Sequence, residues 1–102
     1  MATTTSKLLY RGAASTTTST TLYTVPSATT TIVTNIVVTN TSSSSGTFTL
    51  GLAGTNLATT TNVSGNDSTV IDLKQVLSAT NTITGGASAT SINFHISGVE
   101  IS

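Results

Sequence analysis

Acid–base or metal chemistry in this chain has few residues to draw on: one histidine, His95, three acids, Asp67, Asp72 and Glu100, and no cysteine. A general base needs a partner that orients it and a pocket that receives a substrate. A triad is open to His95 only through one of those three acids. The alternation of its strand aims His95 away from Phe94 and Ile96, so it reads as an exposed or interface histidine. Calcium asks for six to eight oxygens, usually from clustered acids, and Asn66-Asp67 with Asp72 is thin for that. Asp67 reads as a turn residue and Asp72 as a strand-end residue capping a helical turn. Without cysteine there is no disulfide, zinc knuckle or thiol nucleophile. The expectation is no catalytic, cofactor or metal site, and no enzyme.

The basic residues are Lys7, Arg11 and Lys74, and the formal net charge is zero. Binding a polyanion requires a basic patch, which three scattered cations do not make. They read as partners for the acids, within or between subunits. Tyr10 and Tyr23 sit in the apolar contexts Leu8-Leu9-Tyr10 and Leu22-Tyr23, which predicts packing at the core or its rim. Sugar-binding sandwiches lean on Trp and several Tyr, and this chain has no Trp. The runs Thr16-Thr17-Thr18 and Thr29-Thr30-Thr31 and the pairs Thr47/Thr49 and Thr82/Thr84 have no fixed period, so they do not form an ice-binding ladder. Thr suits strands that face water. The sequons at Asn40, Asn62 and Asn66 are expected by chance in so hydroxyl-rich a chain.

The elements that position these residues read as β throughout. Ser and Thr make up 41 of the 102 residues, against six charged ones. An ordinary soluble domain is about a quarter charged. Hydroxyls keep a surface wet while repelling a neighbouring copy far less than charges do. Thr47-Phe48-Thr49-Leu50-Gly51-Leu52 alternates cleanly, the mark of a half-buried strand. Thr31 to Asn40 predicts a longer strand with Ile32, Thr34, Ile36 and Val38 toward the core. Val33 and Val37 fall on its other face, so both faces are expected to be covered. Ser91 to Ser102 places Ile92, Phe94 and Ile96 on one face. The apolar parity then switches to Val99 and Ile101, which predicts a bulge at Ser97-Gly98.

Weaker strands are read at Lys7 to Arg11, Thr21 to Val25, Ser68 to Leu73 and Asn81 to Thr84. Ser42 to Ser45 with Gly46, Gly54-Thr55-Asn56, Ser64 to Asp67 and Gly85-Gly86 carry turn chemistry. Leu73, Val76 and Leu77 at i, i+3 and i+4 predict a single helical turn after the strand. The fold expected is an all-β, single-domain antiparallel sandwich or jelly-roll-like barrel of about seven to eight short strands. Residues 1–20 are read as a Thr/Ser-rich amino-terminal arm with a short strand at 7–11, and residues 21–102 as the sandwich. No secretory signal or membrane span is evident, so synthesis in a cytoplasm is expected. The scarcity of charge predicts edge strands satisfied by partners, hence an oligomer.

The order of segments resembles a bacteriophage virion domain. Leu22-Tyr23-Thr24-Val25-Pro26 leads to Thr31-Ile32-Val33-Thr34-Asn35-Ile36-Val37-Val38-Thr39-Asn40-Thr41, then to a Ser-rich turn and the alternating strand from Thr47. Val70 to Leu77 and Ile96 to Glu100 complete the likeness, which covers roughly residues 7–102. The resemblance implies a small accessory structural protein of a tailed phage, a β-sandwich and commonly a trimer. Such a protein decorates the capsid or serves as a minor tail or fibre-tip module. It would contact itself and the major capsid protein or tail proteins, with no nucleic acid and no membrane. Its expected location is the virion. Contact with host glycans is expected only if it sits on the tail.

Overall fold

The computed structural model describes residues 3–102. Eight strands follow one another: β1 (Thr4–Ala13), β2 (Thr21–Thr24), β3 (Thr30–Asn40), β4 (Gly46–Leu52), β5 (Thr55–Val63), β6 (Ser68–Leu77), β7 (Thr82–Ala87) and β8 (Ile92–Ile101). They form two antiparallel four-stranded sheets, ordered β1-β8-β3-β6 (sheet A) and β2-β7-β4-β5 (sheet B). The pairs β1·β8, β2·β7, β3·β6 and β4·β5 are those made by folding one long ribbon in half and wrapping it around a core. Pairing β3 with β8 and β4 with β7 welds that ribbon into two sheets. This is the strand order of a jelly roll.

The core lies between the sheets. Ile36, Val38, Ile92, Phe94 and Ile96 face inward from sheet A, and Phe48, Leu50, Val63 and Ile83 from sheet B. Phe48 and Phe94 meet edge to face across the gap, with ring centroids 6.2 Å apart and planes at 72°. That geometry puts a positive ring edge against a negative face and adds about 1 kcal/mol to the burial of both rings.

A seam of irregular pairing crosses sheet A. β8 runs straight through Ser97-Gly98, while its neighbours carry the extra residues. Leu9 on β1 and Thr34 on β3 stand unpaired, and Leu73-Lys74 on β6 span the same level. Residues added on the strands flanking β8 bend the sheet. Gly98 is where the strands crowd closest, since a Cβ there would lie 2.3 Å from the carbonyl oxygen of Ile32. The predicted bulge is therefore at the right level but on the neighbouring strands. The extra residue also reverses the parity of β3. Thr31 and Val33 face inward below the seam, Ile36 and Val38 above it, and Ile32 turns outward, against the sequence expectation.

Four other expectations change. The amino-terminal strand is ten residues long rather than a short one at 7–11, because β8 offers a partner along its whole length. Residues 14–20 are no loose arm. Ala14 is buried and donates to the Ile92 carbonyl, and the Gly85 and Ala87 amides donate to the Thr20 and Ser15 carbonyls. The Leu73/Val76/Leu77 pattern is a strand, since β6 runs on to Leu77 against β3. Leu73 and Leu77 point inward and Val76 outward. β5 occupies Thr55–Val63, where the sequence reading places only the turn Gly54-Thr55-Asn56.

Candidate interaction surface

Sheet A places His95 on its outer face, between Arg11 of β1 and Val37 of β3. Neither cross-strand neighbour is a carboxylate, so nothing there orients the imidazole as a base. Asp67 lies in the turn before β6, where its Oδ1 accepts from the Ser68 amide at 2.8 Å. Asp72 is exposed on β6 and accepts from the Asn35 side-chain amide at 3.4 Å. Asp72 caps no helix, because none follows it. Among the described residues no three of His, Asp or Glu gather as metal ligands.

Glu100 sits apart from these, on the inward side of β8. Its carboxylate accepts a hydrogen bond from the Tyr23 hydroxyl and lies 3.7 Å from Lys7 Nζ. The Tyr23 oxygen also lies 2.9 Å from Thr31 Oγ1. Burial first, and then the adjacent carboxylate, push the Tyr23 hydroxyl above its ordinary pKa. The cluster ties β2 of sheet B to β8 and β3 of sheet A at the open end of the sandwich. It is a polar clasp whose members bond one another. The half-exposed lysine adds under about 1 kcal/mol. Tyr10, the other tyrosine, packs on the core and donates to the Ala13 carbonyl at 3.1 Å. Both tyrosines thus lie at the core rim, as the sequence predicts.

Asn40, unremarked except as a sequon, is buried and makes the best-satisfied polar contacts in the chain. Its amide nitrogen donates to the Ser44 and Val63 carbonyls at 2.8 and 3.2 Å, and its oxygen accepts from the Ser42 amide at 3.0 Å. It pins the Ser-rich β3–β4 loop to the end of β5. An Asn so placed is no glycan acceptor. The one signal that could have found it is the loop of four serines that follows, which has no apolar side chain to anchor it in the core.

The surface itself carries the chemistry. Three of the four large exposed hydrophobic residues, Leu8, Val70 and Val76, stand on the outer face of sheet A. Cross-strand register joins them to the half-buried Ile32, Val37 and Val99. Below the seam one rung reads Ser6, Val99, Ile32 and Val76 from edge to edge. A shallow, open depression of about 520 Å³ beside it is lined by Thr34, Asp72, Leu73 and Lys74. Four of the six formal charges lie on the edge strands of this sheet: Lys7 and Arg11 on β1, Asp72 and Lys74 on β6.

Sheet B carries one large exposed hydrophobic residue, Leu57 of β5, and differs in its charge. None of its four strands contains a charged residue. Its edges are blunted by backbone shape. β2 has only four residues, and β5 breaks register twice against β4, with Thr60 at φ 47°. Short and bulged edges resist strand addition as charged ones do. Each of the four edges thus carries some guard of charge, brevity or bulge. Compared with known proteins, the chain matches no protein-family model and no curated protein.

Proposed function

We propose that this chain is a non-enzymatic structural protein of a tailed-phage particle, a decoration protein that binds the assembled capsid through protein–protein contacts. The observation that carries this reading is a small jelly roll whose surface is hydroxyl-rich and almost uncharged. Such a surface suits dense packing among identical neighbours, where each contact is modest and many copies act together. The segment order shared with phage virion domains supports it. The ionisable groups are arranged as edge guards, a turn and a clasp, each role structural.

Co-sedimentation with purified capsid shells tests the reading. Binding to assembled shells but not to free capsid subunits is the expected result. Failure to bind shells, combined with binding to tails or to host glycans, would move the same fold to a minor tail or fibre-tip role. Binding to neither would remove the virion reading.

A further inference from the structure

We propose that the outer face of sheet A is a self-association surface, and that it takes a second copy of this chain across a two-fold axis parallel to the strands. The charges select the partner and the axis. Arg11 stands on one edge of this face and Asp72 on the other, with β8 and β3 between them, too far apart to meet within one chain. Arg11 is level with His95, Val37 and Val70. Asp72 lies two residues along β6 from Val70, about 7 Å away at the rise of a strand. A two-fold axis along the strands lays β1 of one copy over β6 of the other, at the same level. Each Arg11 then stands within side-chain reach of the partner's Asp72, twice per dimer, with Lys74 a further two residues away. An axis perpendicular to the strands would instead lay β1 on β1 and leave Arg11 no acid to meet.

The same face carries Leu8, Val37 and Val70 near the level of the charge pairs and Ile32, Val76 and Val99 below the seam, with His95, Asn35 and Ser97 interspersed on the central strands. Among the described residues the one ion pair is Lys7–Glu100, so Arg11 has no ionic partner in its own chain and Asp72 has only the Asn35 amide. The area suffices. Strands of about 34 Å, four abreast at about 4.8 Å, present roughly 650 Å². Two such faces remove roughly 1,300 Å² from water, inside the range of specific interfaces. Aligned sheet-on-sheet stacking supplies the geometry. Two-fold pairing replaces the trimer that the phage resemblance implies, and it would occur with or without a virion.

A charge swap tests this. Sedimentation velocity over a concentration series of the full chain should show a monomer–dimer equilibrium. Arg11→Asp and Asp72→Arg each set like charges opposite one another and should weaken dimerisation at least ~10-fold. The double variant R11D/D72R restores opposite charges and should return to within ~3-fold of the starting affinity. Both positions are surface-facing edge sites, and unchanged thermal unfolding of the singles would show that the fold is intact. A chain that stays monomeric, forms trimers, or dimerises with no loss in the single variants would overturn the proposal. So would a double variant as weak as the singles.

Discussion

Sheets A and B share one core but present opposite outsides. Sheet A carries four of its five charges on its two edges and sets apolar side chains among His95, Asn35 and Ser97 on the face between them. Sheet B carries no charge, blunts its edges with brevity and bulges, and is covered in part by its own chain. The carbonyl oxygens of Ser15 and Thr17 lie over Gly86 of β7, where a Cβ would come within 2.4 Å of the Thr17 oxygen. Over Gly86 the outer face of sheet B has no room for a partner. The outer face of sheet A has no such cover, and on the proposal above it is the one open to another copy.

The comparison breaks most severely where the sheets meet. Phe48→Asp in sheet B or Phe94→Asp in sheet A would leave a carboxylate buried and unpaired in the shared core. Losing the ring costs about 3–5 kcal/mol, and burying the charge adds several more, against a total stability of about 5–15 kcal/mol. Neither variant should show a cooperative thermal transition. A native-like transition in either would mean the two sheets are not joined through this pair.

A second substitution tests the closed face alone. Gly86→Val drives a side chain into the backbone of residues 15–17 and should cost about 2–3 kcal/mol, by the price of overpacking, read from urea unfolding. Removing the buried amide of Asn40 by Asn40→Ala should cost about 1–3 kcal/mol, since it strands the carbonyls and amide it satisfies. Outward on sheet A, Val76→Thr should change monomer stability by no more than about 0.5 kcal/mol while weakening association. If it destabilised the monomer as much as Gly86→Val, Val76 would belong to the core rather than to an open face.

The smallest effect concerns the clasp between the sheets. The folded state holds the Tyr23 proton more tightly than the unfolded chain does. Between the unfolded pKa, about 10, and the higher folded value, the native state binds more protons. Stability is therefore fully present below pH ~10 and falls as pH rises through the folded pKa. Tyr23→Phe should remove that part of the alkaline decline in a pH series of thermal melts. An unchanged slope would mean the hydroxyl is not held by burial and Glu100.

Much of this was legible in the chain. Clean alternation in Thr47 to Leu52 and Ile92 to Ile96 located β4 and β8, because each has one buried face and the extra residues lie on its neighbours. β5 was not legible, since an edge strand with two register breaks and only two large apolar residues, Leu57 and Val63, has no period to read. Three other misreadings share one physical cause. Val76 at i+3 looked like a helical turn, Val99 and Ile101 like a parity switch, and Ile32 like a core residue. All are apolar side chains on the outer face of sheet A. A sequence shows that a residue is apolar, not which protein covers it, so a second apolar face appears as noise in the pattern of the first.

A side-chain-resolution map of the intact particle tests the central claim most directly. The account predicts this chain on the capsid lattice in pairs, with the outer faces of sheet A apposed and Arg11 of each copy beside Asp72 of the other. A map in which that face stands bare to solvent, or in which the chain is missing from the particle, would contradict it.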